Sequence, residues 1–169
     1  MFTSGKLLVP VIATACLTAG FAATASASTA ATCTIVAGKA DSDCTPGAFN
    51  PDVTQSTIGS TICVSGWTAT VRPPSSYTTN LKNQQKIIYG EADIPNSDLE
   101  EDHLVPLELG GAPRDPNNLW PEPRSSSGVP GTEAAETKDR EENTLKSQVC
   151  SRQITLATAR NKIIADWTH

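Results

Sequence analysis

Asp102 and His103 stand side by side in a 169-residue chain that has only two histidines, the other being the C-terminal His169. An imidazole titrates near neutral pH and can take a proton from water, while a neighbouring carboxylate can bind a hard cation through oxygen. Fifteen residues beyond His103 comes Asn118, whose amide both donates and accepts hydrogen bonds. A base, an oxygen ligand and an amide brace suit hydrolysis of a phosphodiester, where a divalent cation offsets charge on the phosphate and the leaving oxygen. The plainer alternative is a surface ion pair followed by a turn-forming asparagine.

The elements around these residues must aim them at one point. "HLVPLEL" (103–109) predicts a strand, "GGAPRDPNN" (110–118) a turn-rich loop, and "LWPEP" (119–123) a short returning strand. Asp102 and His103 then sit where a strand begins, and Asn118 where the loop rejoins. "GTEAAETKDREENTLKSQVC" (131–150) predicts a polar helix with Thr132 as N-cap, Glu133 in its first turn and little apolar content before Leu145 and Val149. Upstream, the alternation of Ile62, Val64, Trp67, Ala69 and Val71, broken by Gly66 and ended by Pro73 and Pro74, predicts a strand or hairpin. "SYTTNLKNQQKIIYG" (76–90) predicts a helix that starts on capping residues, turns Leu81 and Ile88 inward with Ile87 beside them, carries its basic residues outside and stops at Gly90. "ITLATARNKIIADW" (154–167) predicts a helix capped by Thr155 with a core stripe of Leu156, Ala159, Ile163, Ile164 and Trp167.

Residues 1–27 read as a secretory leader: Lys6, an apolar and small-residue run, then the small-x-small pattern Ala25-Ser26-Ala27. Its removal takes away Cys16 and leaves Cys33, Cys44, Cys63 and Cys150, an even number in an exported chain. Three connectivities exist; the favoured one pairs Cys33 with Cys44, closing a small loop, and Cys63 with Cys150, tying an early strand to the end of a late helix. Residues 28–50 read as an irregular, disulfide-stapled arm, and 51–169 as the functional domain. The formal charge is −5, one unit more negative without Lys6, an unfavourable sign for a polyanion partner. Its distribution is uneven, because only Arg72, Lys82 and Lys86 are charged between Asp52 and Glu91.

"EDHLVPLELGG" followed by "NLWPEP" resembles the HNH, or ββα-metal (His-Me finger), endonucleases, and with "TQSTIGSTICVSGWTATVRPPSSY" and "KDREENTLKSQVC" it looks like a group of small exported bacterial proteins. The resemblance covers nearly all of the chain after about residue 50. It implies an α+β fold with a small ββα-metal core, additional helices and the stapled arm. His103 would be the general base, Asp102 a metal ligand, and Asn118 would brace the loop or orient the imidazole. The family's third position is usually a His or Asn on the helix, binding the metal, and this helix has no His. Glu136, then Asp139, are the replacements expected, with Glu142 also available; the plain alternative is an exposed helix whose acids pair with Lys138, Arg140 and Lys146. Oxygen ligands favour Mg2+, with Mn2+, Ca2+ and Zn2+ as further candidates.

The function expected is a secreted, metal-dependent endonuclease of low sequence specificity. It would cut DNA rather than RNA by preference, act as a monomer, and hold no membrane segment after leader cleavage. Arg72, Lys82, Lys86, Arg114 and Arg124 would contact phosphates. The competing expectation is a catalytically inactive, disulfide-stabilised exported binding domain on the same fold. A Cys or Ser nucleophile is disfavoured, since the cysteines pair and no serine lies in a nucleophile turn.

Overall fold

The computed structural model describes Met1 and residues 33–36, 38–129 and 135–168. The leader, Cys16, Thr132, Glu133 and His169 lie outside the described residues. Among the described residues, four helices and a two-stranded antiparallel sheet form an α+β fold: α1 (Trp67–Val71), α2 (Ser75–Ile88), β1 (Leu99–His103), β2 (Leu119–Pro123), α3 (Ala135–Cys150) and α4 (Leu156–Ala165). Both expected disulfides are present, Cys33–Cys44 and Cys63–Cys150.

The sheet pairs Leu99 with Pro123, Glu101 with Pro121, Asp102 with Trp120 and His103 with Leu119. β1 therefore begins four residues earlier than the apolar pattern predicts, and His103 ends the strand rather than opening it. The reason is local. The Leu104 and Val105 N–H groups bond Asn118 instead of a partner strand, Pro106 has no N–H, and Leu107–Leu109 closes into a 3-10 turn. β2 matches its expected bounds and is buried along its whole length.

The expected strand over residues 60–74 is absent. Cys63 N–H bonds the Ile58 carbonyl, Val64 N–H bonds Thr61, and Gly66, at φ 78, adopts the left-handed conformation that opens α1. With these backbone groups satisfied locally, the alternating side chains never share a buried face: Ile62 is buried, Val64 and Ala69 are exposed. The Cys63 bridge thus joins a turn, not a strand, to the end of α3.

α2 occupies its predicted span but faces differently. Its N-cap is Pro74 with no side-chain cap bond; Ile87 and Ile88 are exposed and Leu81 is half-buried. The inward residue is Gln85, whose amide donates to the carbonyls of Leu119 (2.7 Å) and Pro116 (3.3 Å) and so ties α2 to the start of β2. α4 follows the sequence closely: Thr155 accepts from the Thr158 N–H, and Leu156, Ala159, Ile163 and the following Trp167 are buried, with Ile164 half-buried. These side chains meet Ile62, Leu104, Val105, Leu109, Trp120, Leu145 and Val149 in one core.

The arm is stitched to the loop between the strands. Gly47 N–H bonds Asn117, Asn50 N–H bonds Gly110, and Ala112 N–H bonds Ala48. Arg160 of α4 closes the far side, donating to the carbonyls of Leu109 (2.8 Å), Val53 (3.0 Å) and Gly110 (3.1 Å). A Cβ at Gly111 would lie 1.7 Å from the Val105 carbonyl oxygen, so only glycine lets the loop fold this tightly. No helix among the described residues is long and apolar enough to cross a membrane.

Candidate functional site

His103 is buried at the end of β1, and its Nε2 lies 3.0 Å from the Pro113 carbonyl oxygen. A carbonyl oxygen only accepts, so Nε2 carries the proton and a neutral ring presents its lone pair at Nδ1. Burial lowers the affinity of this imidazole for a second proton, with Arg72 and Lys138 adding to the effect against the opposing pull of Pro113 and Asp102. The ring is thereby kept in its basic tautomer near neutral pH.

Asn118 is fully buried and never reaches the imidazole. Its Oδ1 accepts from the N–H groups of Val105 (2.9 Å) and Ala48 (3.3 Å), and its Nδ2 donates to the carbonyls of Val105 (3.0 Å) and Ala112 (3.1 Å). The Leu104 N–H, next to His103, bonds the Asn118 carbonyl at 2.8 Å. Of the two roles expected, bracing the loop is the one its bonds perform.

His103 lines two cavities. The larger, about 290 Å³, lies between β1 and the first half of α2 and presents Arg72, Lys82 and Arg124 together with Ser75, Thr78 and Thr79. Lys86 and Arg114 do not line it. Lys86 donates to the Ile94 carbonyl and, at 3.3 Å, to the Asn96 side chain, while Arg114 sits 5.9 Å from the Tyr77 ring centre. Within the groove the cations are partly engaged already. Lys82 donates to the carbonyls of Asn96 and Leu99, both at 2.8 Å, and burial lowers its pKa; Arg124 pairs with Glu100 at 2.5 Å. The lysines of α2 therefore turn onto the 94–99 segment rather than out to solvent as expected.

The smaller cavity, about 50 Å³, is lined by Glu100, Glu101, Asp102, His103, Asp139 and Glu142 among others. Burial raises Asp139 and Glu100, and the Asp102 charge raises both further. Glu101 is pushed up to about 8 by burial, with Lys82 only partly opposing, and neither of its carboxyl oxygens has a hydrogen-bond partner. Glu136, the first choice for a helix ligand, is elsewhere: its carboxylate accepts from the N–H and hydroxyl of Ser125, both at 3.3 Å, at the surface. The structure thus brings Asp139 and Glu142, not Glu136, beside Asp102 and His103, one turn further along α3.

Two residues at the centre of the site have no place in it on the sequence: Lys138, expected only as a partner of the acids on an exposed helix, and Glu122. Lys138 is 1 % exposed, and its ammonium lies 2.6 Å from Asp102 Oδ2, 2.9 Å from the His103 carbonyl oxygen and in hydrogen-bond contact with Glu142 Oε1. Burial alone would lower its pKa, but Asp102, Glu142 and Glu122 together drive it up. Glu122 of β2 is wholly buried, and burial beside the Asp102 carboxylate holds its pKa well above the usual carboxylate range, against the pull of Lys138. Glu142 is pushed up to about 7 by burial, against the pull of Lys138. A signal for Lys138 did exist: the inward stripe of α3 reads Ala135, Lys138, Glu142, Leu145, Val149, a 3-4-3-4 spacing with two charged residues inside it.

Among the described residues, no three His, Cys, Asp or Glu side chains are gathered closely enough to hold a metal ion by themselves. Mg2+ does not need such a cage, since it retains several waters and is held by one or two carboxylates plus substrate phosphates. The all-oxygen donors Asp102 and Asp139 on the small cavity fit that habit. Comparison with family models, curated proteins and solved structures returned no match to the chain.

Proposed function

We propose that the protein is an exported phosphodiesterase, an endonuclease of the HNH type acting on DNA. The observation that carries this reading is the placement of His103: its ring is fixed in the basic tautomer on the wall of a groove that also presents Arg72, Lys82 and Arg124. The order β1, loop, β2, α3 also supports it, because that is the frame the ββα resemblance implies.

In this reading the groove seats the phosphodiester backbone, and Arg72 is the cation best placed to contact it, since it has no ion pair or carbonyl partner among the described residues. His103 Nδ1 removes the proton from the attacking water, while Nε2 stays bonded to Pro113 and holds the ring's direction. Asp102 and Asp139 would hold a divalent cation, most consistently Mg2+, which when bound neutralises charge on the phosphate and leaving oxygen. Two disulfides fit an oxidising destination beyond the cell. The inactive binding domain has one observation in its favour, the Lys138 ammonium already seated on Asp102.

The test is direct. The oxidised chain from Ser28 onward, incubated with plasmid DNA in Mg2+, Mn2+, Ca2+ or Zn2+, is expected to nick and linearise it, and His103→Ala is expected not to. Intact plasmid in all four metals overturns the reading in favour of the inactive domain.

A further inference from the structure

We propose that Lys138 is the positioning residue of the site: from inside α3 its ammonium fixes the end of β1, and with it the His103 backbone and the Asp102 carboxylate. What those groups then do rests on the nuclease reading above; the geometry does not.

An ammonium has three N–H donors. Here three oxygens from two elements surround it: it donates to the His103 carbonyl of β1 and to Glu142 Oε1 one turn along α3 itself, and it forms an ion pair with Asp102 Oδ2 of β1. Lys138 is sealed from solvent and lines neither cavity, so it cannot contact a substrate phosphate. Its effect must pass through the residues it holds.

Those residues need holding from this side. The His103 ring is anchored by the loop through Pro113, and the next N–H, that of Leu104, is anchored through Asn118 at the start of β2. Lys138 supplies the anchor from α3, at the carbonyl of His103 itself. It also takes one oxygen of Asp102, which sets the direction in which the carboxylate faces the small cavity. Beside the ligand Asp139, the helix contributes a fixed cation that orients the ligand on the strand. Arginine cannot reproduce this, because a planar fork does not deliver its donors to the same three points.

The experiment uses two variants of the whole oxidised protein. Lys138→Met/Glu142→Gln removes the ammonium together with one acid, so that the net buried charge is unchanged; Lys138→Arg keeps the charge and changes only its geometry. Two readouts are taken on folded protein: plasmid cleavage, and the nitrogen-15 NMR signals of the His103 ring, which report which nitrogen carries the proton. We expect kcat to fall about 100-fold in the double variant, the scale of an ångström-sized misplacement, with KM within about threefold of wild type. The ring is expected to pass from a single Nε2–H tautomer to a mixture in both variants, and Glu142→Gln alone to retain the wild-type tautomer. Wild-type kcat with an unchanged tautomer in either variant overturns the proposal. If the wild type cuts nothing, the nuclease reading has failed, and the tautomer alone decides the role of Lys138. Should the double variant not fold, Lys138→Arg decides it by the same two measurements.

Discussion

The two helices that flank the strand pair use their lysines in opposite ways. On α3, Lys138 is paired with two carboxylates, those of Asp102 and Glu142, and of the acids packed around it Glu122, its pKa raised by burial, is the one left without a hydrogen-bond partner. On α2, Lys82 and Lys86 bond main-chain carbonyls of the 94–99 segment, and the nearby carboxyls of Glu101 and Glu91 have no hydrogen-bond partner. A buried charge is costly unless paired, so the first arrangement is bound to one geometry while the second leaves carboxyls that neutralise themselves by taking a proton. The difference separates rigidity from adaptability: the α3 side holds the end of β1, and the α2 side forms a groove whose charge can change.

His103 sits where the two sides meet, so its loss has the largest effect expected. His103→Ala should lower the cleavage rate by about 10²- to 10⁴-fold, the usual weight of a general base, with a thermal transition close to wild type. A rate within a factor of a few of wild type would remove the histidine from the chemistry and leave the comparison purely structural.

Asp102→Asn and Glu101→Gln sharpen the contrast, being neighbouring acids of one strand that differ in what they face. Asp102→Asn breaks a buried ion pair, which costs about 3 kcal/mol at the low end of the range for such losses, because Glu142 still holds the ammonium. Glu101→Gln replaces a carboxyl that the folded chain keeps protonated near neutral pH while the unfolded chain ionises it, so the change should cost no stability there and should gain on wild type. Urea unfolding of the two variants side by side checks this; equal losses would mean that Lys138 does not set the two faces apart.

How much of this was legible in the sequence varies with the kind of signal. The α4 stripe, the LWPEP strand, the span of α2 and the end of α3 could be read because apolar spacing and turn residues act locally, and an even cysteine count gave two disulfides, whose favoured pairing is the one present. β1 was misplaced because its sequence, LEEDH, is mostly charged, and its inward acids become acceptable only when Lys138 arrives from 35 residues away. The supposed strand over 60–74 failed for the converse reason: its alternation is real, but no second strand is there to use it. Glu136 was favoured over Asp139 because position within a helix was judged without knowing which face meets β1; the Lys138–Glu142 pair inside the apolar stripe was the missing clue.

The same contrast ranks the cations of the groove. Arg72→Ala should weaken DNA binding on all sequences alike and reduce the salt slope by about one, the value of one lost phosphate contact. Lys82→Ala should do less, since its ammonium already serves two carbonyls, and Lys86→Ala should be silent because Lys86 lies outside the groove. Fluorescence anisotropy at several salt concentrations separates the three. A full unit of slope lost with Lys86→Ala would show that α2 presents its lysines outward after all.

The last effect expected is at Glu91, away from His103 but governed by the same matching of partners. Its carboxyl is buried without a hydrogen-bond partner, and burial pushes its pKa from an ordinary 4.5 up to about 7, with Lys86 only partly opposing. The folded chain therefore holds this proton more tightly than the unfolded chain between those two values. Its contribution to stability is fully present below pH 4.5 and is lost as the pH rises through about 7. Glu91→Gln has no proton to lose, so the variant should gain on wild type across that window and keep a constant lead above it. Glu101→Gln should behave alike, but its window extends to about pH 8. Unfolding midpoints measured from about pH 4 to about pH 9 separate the two. If Glu91→Gln follows the wild-type curve at every pH, the Glu91 carboxyl has an effective partner after all, and the carbonyl-bonded lysines of α2 are not leaving acids unmatched.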